Sequence, residues 1–553
     1  MLAELASLSF LFVPALSHSY DPREATISST HHALYTGLTT CREVVSSFLS
    51  RIEALNTHTN AIISLDPHAV QIADQYDIQL QANNSSYGPL FCIPTLLKDN
   101  YDTVDDPTTG GSLDLRYSQP SRDAPSVTAL RQAGAIILGK ANLHELALEG
   151  LSVSSLGGQT INPYDKTRTP GGSSGGTGAA IAASFAVWGT GTDTVNSLRS
   201  PASANSLFSV RPTRGLISRT GIIPISYTQD AIGPIARCVE DLAVALTVMS
   251  SVGYDEEDNT TALIPAGVKG TDYTASLKKA HSLEGMRFGL VEGFFNRTPS
   301  LENDPVNSAM QRTVARLQEA GATVINITDT MFDSDSILKR FDTQRYEFRE
   351  SMDAYLQRKD LGGKHPQTLN ELYNSGNFLV IPSQYEYVTT ALVSSTSNTT
   401  GRQGSYEDVK EGIANLTKAL HHTFKTERLD ALIYPEQKNL VVPIGSPSQK
   451  GRNGILAALT GSPVVTVPVG FSPKTKTAQV GVPIGMEVLG LPWTEGKLLG
   501  IAKEMDGALG GVRRVPEWAR EQVQVKEYKT VPEVMSDRRS IPKEYPIGVL
   551  SEE

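Results

Sequence analysis

The chain has 553 residues, of which 39% are hydrophobic and 20% charged, the balance of a globular protein with a large buried core rather than a disordered or fibrous one. A formal net charge of −10 argues against nucleic acid as a partner, because phosphate recognition gathers Lys and Arg on one face; a small-molecule substrate is expected instead. No apolar run reaches the roughly eighteen residues that a membrane-spanning helix needs, so no transmembrane segment is predicted.

In chain order, residues 1–17 combine an apolar stretch with small residues ahead of a cut after Ser17, the layout of a signal peptide. Glu4 and the lack of a Lys or Arg before the stretch leave a helix packed on the fold as the alternative. From Thr39 to Leu55 apolar side chains recur three and four apart behind a Thr cap, which predicts an amphipathic helix. Ile93–Leu97 reads as a buried strand ending at Lys98. Ser126–Gln132 continues as helix, Ala135–Gly139 as strand and Asn142–Leu148 as helix. Gly175–Ala186 is a run of small residues read as a closely packed helix whose N-terminus, with its exposed N–H groups, points at Ser173 and Ser174.

Residues 245–440 carry no strong motif, are richer in polar residues and are expected to supply substrate-facing elements. Strand-like runs return at Pro463–Gly470 and Val482–Gly490, followed by a helix over Thr494–Lys503. The alternation of helix and strand predicts an α/β fold. The organisation expected is one domain over 18–553, with a core of about 38–505 and a charged tail of about 510–553 wrapping the surface.

Cys41, Cys92 and Cys238 are the only cysteines. They lack the C-x-x-C spacing of zinc or redox sites, can form at most one disulfide, and are read as three buried thiols. Seven sequons begin at Asn83, Asn84, Asn259, Asn296, Asn326, Asn398 and Asn415, about twice the chance number for this composition. With the N-terminal stretch they favour entry to the secretory pathway; a cytoplasmic enzyme is the alternative.

The chemistry concentrates in three segments, which carry Lys98, Ser173 and Ser197. Thr169-Pro-Gly-Gly-Ser-Ser-Gly-Gly opens an Ala-rich helix, unlike a flexible Gly-Ser linker with polar flanks on both sides. It also satisfies G-x-S-x-G, the nucleophile turn of α/β-hydrolases, but no apolar strand precedes it and the last histidine, His422, comes early for such a triad. A serine hydrolase built from these segments needs a base other than histidine. Lysine can serve if burial lowers its pKa by several units. The competing reading of Lys98 is a structural ion pair with Asp99 or another acid.

Gly88-Pro-Leu-x-x-Ile-Pro-x-x-x-Lys-Asp-Asn, the stretch from Ala124 to Asn142, Arg168-Thr-Pro-Gly-Gly-Ser-Ser-Gly-Gly, Asp230-Ala-Ile-Gly-Pro-Ile-Ala-Arg and Gly481-Val-Pro-Ile-Gly-Met-Glu-Val-Leu-Gly, in this order, resemble the amidase signature family, in a fungal type that is secreted or cytosolic. The resemblance runs from about Leu38 to about Met505. It implies a large α/β/α domain around a mixed β-sheet and hydrolysis of a carboxamide or related acyl bond. It implies further that Ser197 is the nucleophile, Lys98 the general base, and Ser173 a bridging serine reached through a cis peptide. The backbone N–H groups of Thr194, Val195, Asn196 and Ser197 are implied as the oxyanion hole, with Ser174, Asp193 and Arg199 as supports of the loop. No cofactor or metal is implied, and the oligomeric state is left open, a homodimer included.

Two departures stand out. Val195-Asn196 replaces the family's Gly-Gly ahead of the nucleophile, and Cys92 replaces a Gly. If the turn needed positive φ, Val195 would be strained there. Alternatives carried forward are an amidotransferase subunit, which the family also contains, and an inactive binding protein on the same scaffold.

Overall fold

The structure is a computed structural model that describes residues 20–82, 87–278, 282–397 and 405–551. Residues 1–17 and the sequons at Asn83, Asn84 and Asn398 lie outside the described residues. The centre is an 11-stranded sheet. Its strands are β1 (Ile62–Leu65), β2 (Ile93–Lys98), β3 (Ala135–Ala141), β4 (Trp188–Asp193), β5 (Phe208–Arg211), β6 (Ala231–Ala236), β7 (Arg287–Val291), β8 (Thr323–Ile327), β9 (Ala431–Pro435), β10 (Val464–Phe471) and β11 (Pro483–Leu489).

The spatial order is β1-β3-β2-β4-β6-β5-β10-β11-β9-β7-β8. β2 pairs parallel with both β3 and β4, and β7 parallel with both β8 and β9, whereas every other contact is antiparallel. The sheet is therefore mixed, with helices covering its faces, as a large α/β fold requires when its strands are apolar on both sides. β2, β3 and β4 are buried along their whole length, which in β2 and β3 gives mainly apolar runs, whereas β4 buries mainly Gly and Thr.

The predicted amphipathic helix spans Cys41–Leu55, capped by the Thr40 side chain, which accepts from Glu43 N–H. Arg51 in this helix is buried, and its guanidinium donates to the carbonyls of Ala183, Ala519 and Glu521. It thereby ties the C-terminal segment to the body. Further links along that segment join Lys526 N–H to Ser50 Oγ at 2.9 Å, Asp537 N–H to Asn60 Oδ1 at 3.0 Å and Tyr545 OH to Ser446 O.

Three expectations need correction. Asn142–Leu148 is not an α-helix: only the 3-10 turn Glu145–Ala147 forms, with φ of +50° at Leu146 and +61° at Ala147. Long-range bonds take over the backbone here. Asn142 O accepts from Gly176 N–H and His144 N–H donates to Ser173 O, each at 3.0 Å. The Ala-rich helix ends at Ala182, four residues early, because Ser184 turns into the left-handed region at φ +57°. Within it, a Cβ on Gly176 would lie 2.1 Å from Asn142 O, so the small residue permits the approach that brings the serine segment onto the end of β3.

The third correction concerns the cysteines. Cys41 and Cys92 form a disulfide with Cα atoms 5.7 Å apart, leaving Cys238 as a half-buried thiol. Sequence spacing could not pair them, because the helix and the start of β2 meet only in the fold. Cys92 has φ +59°, a conformation that suits the family's glycine and costs a side-chain-bearing residue about 1 kcal/mol or more.

The stretch 245–440, which lacks motifs, adds three strands to the sheet, β7, β8 and β9. β7 and β8 are short, and β8 is exposed in part. No helix among the described residues is long and apolar enough to cross a membrane.

Candidate active site

Lys98 ends β2 and Asp193 ends β4, two adjacent parallel strands. Both residues therefore sit at the carboxyl edge of the sheet, where open α/β sheets place their ligands. Lys98 is fully buried, and its Nζ donates to Ser173 Oγ at 2.8 Å and to Thr192 Oγ1 at 2.7 Å. Burial is the dominant influence on its pKa and lowers it to about 7, against the opposing pull of Asp193 and Asp230. A substantial fraction is thus the neutral amine at neutral pH, which is what a general base requires.

The competing ion pair does not form. Asp99 turns to Lys140, 3.7 Å away, and accepts from Thr109 N–H and Oγ1.

Ser173 is also fully buried, and the Gly172–Ser173 peptide is cis. Its carbonyl accepts from His144 N–H at 3.0 Å. The His144 ring is a histidine near the site that the motif cores do not contain. Burial first, then Arg452 and Lys98, lower its pKa to about 3, so it is a neutral ring and a poor base. No strand leads into Ser173, unlike the nucleophile turn of α/β-hydrolases.

Ser174 N–H donates to Ser197 O at 3.3 Å, drawing the two serine loops together. The Ser174 hydroxyl bonds both the N–H and the carbonyl of Thr192, each at 3.3 Å. Ser197 is 7% exposed and is the member of the three that lines a cavity of about 330 Å³.

The turn Thr194–Ser197 is held from behind. Asp193 accepts from Leu198 N–H at 3.0 Å and pairs with Arg199 at 2.9 Å and Arg211 at 2.7 Å, all three side chains fully buried. Burial alone would raise the Asp193 carboxyl, but the two guanidiniums hold it down to about 2. Arg199 also reaches Glu487 at 2.7 Å and donates to Val195 O. Neither Val195 nor Asn196 has positive φ, so the strain considered for Val195 does not arise. Val195 instead packs in an apolar cluster that includes Ile455, Leu456 and Leu459.

Sequence reasoning missed Thr192, whose Oγ1 accepts from both Lys98 Nζ and Asn100 Nδ2 and so fixes the base. Its position one residue before Asp193 in the motif was the available signal. It also missed Glu436 and Gln449, polar residues far along the chain whose side chains bond Asn196 and Ser200.

The far wall of the Ser197 cavity comes from the stretch expected to face substrate. Asp335, Leu338 and Lys339 on the helix Ser334–Phe341, Gln344 and Arg345 on the helix Gln344–Leu356, and Gln384 and Tyr387 line it, with Glu149 and Arg452 below. Arg452 pairs with buried Glu149 at 3.1 Å. A second, apolar cavity of about 270 Å³ meets the first at Ala147 and Thr194 and is lined by Ile222, Ile223, Pro224, Ile225, Ile232 and Tyr355. No cluster of His, Cys, Asp and Glu suited to a metal ion occurs among the described residues.

Similarity to known proteins agrees with this geometry. The amidase family model matches residues 43–499. The chain is 30% identical to a glutamyl-tRNA(Gln) amidotransferase subunit of Maridesulfovibrio salexigens over 518 residues, covering 89% of this chain and 99% of that one. It is 28% identical to the chloroplastic/mitochondrial counterpart of Sorghum bicolor, covering 92% and 94%. Among solved structures, the native peptide amidase of Stenotrophomonas maltophilia superimposes with a TM-score of 0.76 at 30% identity, covering 89% of this chain and 98% of that one. A buried lysine bonded to a cis-linked serine, the second serine beside it and a match spanning most of the chain lead to one conclusion: this protein belongs to the amidase family and hydrolyses amide bonds by a Ser-Ser-Lys mechanism.

Proposed function

We propose that Ser197 is the nucleophile, Ser173 the proton bridge and Lys98 the base that drives the relay. Neutral Lys98 Nζ takes the proton of Ser173 Oγ, which takes that of Ser197 Oγ as it attacks the carbonyl carbon, activating a hydroxyl that is a weak nucleophile at its own pKa. The tetrahedral oxyanion faces the backbone N–H groups of Thr194, Val195, Asn196 and Ser197, where each well-aimed donor is worth about 3 kcal/mol. The proton returns along the relay to the leaving amine and the C–N bond breaks. Water, deprotonated by the same relay, then releases the acid from the Ser197 ester. Ser174, Asp193 and Arg199 hold the turn through the bonds described above.

The observation that carries this reading is the 2.8 Å hydrogen bond between fully buried Lys98 and Ser173. Fluorophosphonate labelling followed by intact mass and peptide mapping tests it. One adduct on Ser197, absent from Ser197→Ala and slowed in Lys98→Ala, supports it; an adduct on Ser173 overturns it.

For the substrate we propose a small carboxamide with a polar part and a modest apolar group, such as an amino-acid or peptide amide, rather than a long fatty-acyl amide. The polar lining of the Ser197 cavity and the apolar chamber of about 270 Å³ beside it support this, as does the likeness to a peptide amidase. A panel of amino-acid, aryl and fatty-acyl amides tests it. The second reading, one component of an amidotransferase complex, is favoured by the similarity to the glutamyl-tRNA(Gln) amidotransferase proteins. Purification from the native source with light scattering separates a monomer or homodimer from a mixed complex.

The localisation proposed is the secretory pathway, as in a secreted amidase of fungal type with a cleaved segment 1–17. The Cys41–Cys92 disulfide supports it, since such bonds persist in oxidising compartments. So do the exposed sequon residues Asn259, Asn326 and Asn415 and half-buried Asn296. Deglycosylation and N-terminal sequencing of the native protein test it; an unglycosylated chain retaining Met1 overturns it.

A further inference from the structure

Val195 and Asn196 stand where the family places two glycines, and their side chains are engaged rather than idle. Asn196 is 1% exposed, and its Nδ2 donates to Oε1 of Glu436 at 2.9 Å. Glu436 follows β9 directly and is also 1% exposed. Its own backbone is fixed, the N–H donating to Gly485 O at 3.1 Å and the carbonyl accepting from Asn453 N–H at 3.2 Å. Gly454 allows this approach: a Cβ there would lie 2.3 Å from Val195 O and 2.6 Å from Asn196 Cβ. The next residue, Gln437, accepts through Oε1 from Gln449 Nε2 at 3.0 Å, and Gln449 Nε2 also donates to Ser200 Oγ. Ser200 Oγ in turn accepts from Gly172 N–H at 3.4 Å. One strip, Glu436–Gln437, therefore reaches the turn ahead of Ser197 and, through Gln449 and Ser200, the N–H of Gly172, the residue before Ser173.

We infer that Glu436, acting through Asn196, is a positioning residue for amide hydrolysis, fixing by a side-chain bond the turn that aims the oxyanion-hole N–H groups. A pair of glycines offers the turn no side chain of its own to anchor; here Asn196 adds a bond to a buried carboxyl on a rigid strand end, beside the holds from Asp193 and Arg199. The inference rests on the assignment of Ser197 as nucleophile. The charged groups facing Glu436 are Glu487, itself paired with Arg199 at 2.7 Å, together with Arg199 and Asp193. Burial first, then Glu487, raise its carboxyl to about 8, with Asp193 adding to the rise and Asn196 and Arg199 opposing it. At neutral pH Glu436 is therefore the uncharged acid. Ionisation puts a third carboxylate beside Glu487 and Asp193 and disturbs the turn.

The test is the second-order rate of phosphonylation by a fluorophosphonate, whose P=O oxygen occupies the oxyanion hole. It is followed by intact mass from neutral to alkaline pH in wild type, E436Q, E436A, N196A and the double variant E436A/N196A. The wild-type rate should rise with Lys98 through about 7 and fall again above about 8. E436Q offers Asn196 the same acceptor without ionising, so it should rescue most of the neutral-pH rate and lose the alkaline fall. E436A and N196A should each slow labelling roughly 10- to 100-fold, the scale of a misplaced reacting group. The double variant should be no slower than the slower single, because the two act as one unit. The inference is overturned by an alkaline fall that persists in E436Q, by E436A labelling at the wild-type rate, or by effects of the two singles that multiply. If E436A fails to fold, the isosteric E436Q profile decides alone. An adduct away from Ser197 overturns the nucleophile assignment, whereas an adduct on Ser197 formed at a rate indifferent to Glu436 overturns only this inference.

Discussion

The near wall of the cavity, which carries Lys98, Ser173 and Ser197, and the far wall, built by the helices Ser334–Phe341 and Gln344–Leu356, are made by opposite means. On the near wall the three side chains are 0%, 0% and 7% exposed. They sit on strand ends and on loops whose backbone polar groups are tied to one another. On the far wall Asp335 and Lys339 are exposed, and Leu338 and Arg345 half-buried. Rigid burial suits chemistry, because a base must keep a lowered pKa and a turn must hold its donors in place without reorganising. A wetter, helical wall can change its side chains without disturbing that machinery, which suits selection among substrates.

The sharpest break of this contrast is removal of the nucleophile. Ser197→Ala should reduce amide turnover by at least about 10³-fold with the fold intact, as loss of a catalytic nucleophile generally does, measured by hydrolysis of any amide the wild type accepts. Lys98→Ala should come close to it and should also remove a pH limb. Because the base must be neutral and burial sets its pKa near 7, wild-type kcat/KM should rise as pH increases through about 7; the residual rate of Lys98→Ala should lack that rise. A wild-type profile flat across neutral pH would contradict a lysine base.

The support behind the near wall should be read in stability rather than rate. Asp193→Ala leaves Arg199 and Arg211 buried without their shared partner, a loss of about 3–5 kcal/mol for a broken buried pair, seen as a fall in the denaturation midpoint. The sign with pH follows from the lowered carboxyl. Its folded pKa of about 2 lies below the ordinary value of 3.8, so its stabilisation is fully present above about pH 4 and is lost as pH falls toward 2. Reducing Cys41–Cys92, which closes a loop over a sequence separation of 51, should cost about 2–4 kcal/mol. That is measured as a thermal shift of the C41S/C92S variant.

The same contrast explains what could be read in the sequence. Lys98, Ser173 and Ser197 were singled out because each lies in a motif that resembles the amidase family's; from the residues alone Lys98 read as readily as an ion-pair partner, and nothing local marked Ser197. The strands β2 and β3 were legible because burial on both faces leaves the mainly apolar runs Ile93–Leu97 and Ala135–Leu138; β4 was not read, because most of its buried positions are Gly and Thr. The segment after β3 reads as helix yet is not one, since Asn142 and His144 exchange helical bonds for bonds to Gly176 and Ser173, partners distant in sequence. The Cys41–Cys92 bond and the Glu436–Asn196 contact were hidden for the same reason: nothing near Glu436 in sequence announces that its side chain ends 2.9 Å from Asn196. The strands β7 and β8 escaped because they are short and β8 is partly exposed at the sheet edge, which leaves little apolar pattern to see.

The smallest expected effect tests the far wall. Arg345 lines the same cavity as Ser197 and makes no hydrogen bond to Lys98 or Ser173. If this wall only binds substrate, Arg345→Ala should remove an interaction made equally in the ground and transition states. KM then rises by a few-fold, about 1 kcal/mol, while kcat and its pH limb near 7 stay as in wild type. The rise should be largest for amides with a polar or anionic group and absent for an apolar aryl amide if, as proposed, such a group enters the chamber lined by Ile222 and Ile232. A drop in kcat at unchanged KM would mean instead that the far wall closes on the transition state, and that the division of labour between the two walls is not the one their burial suggests.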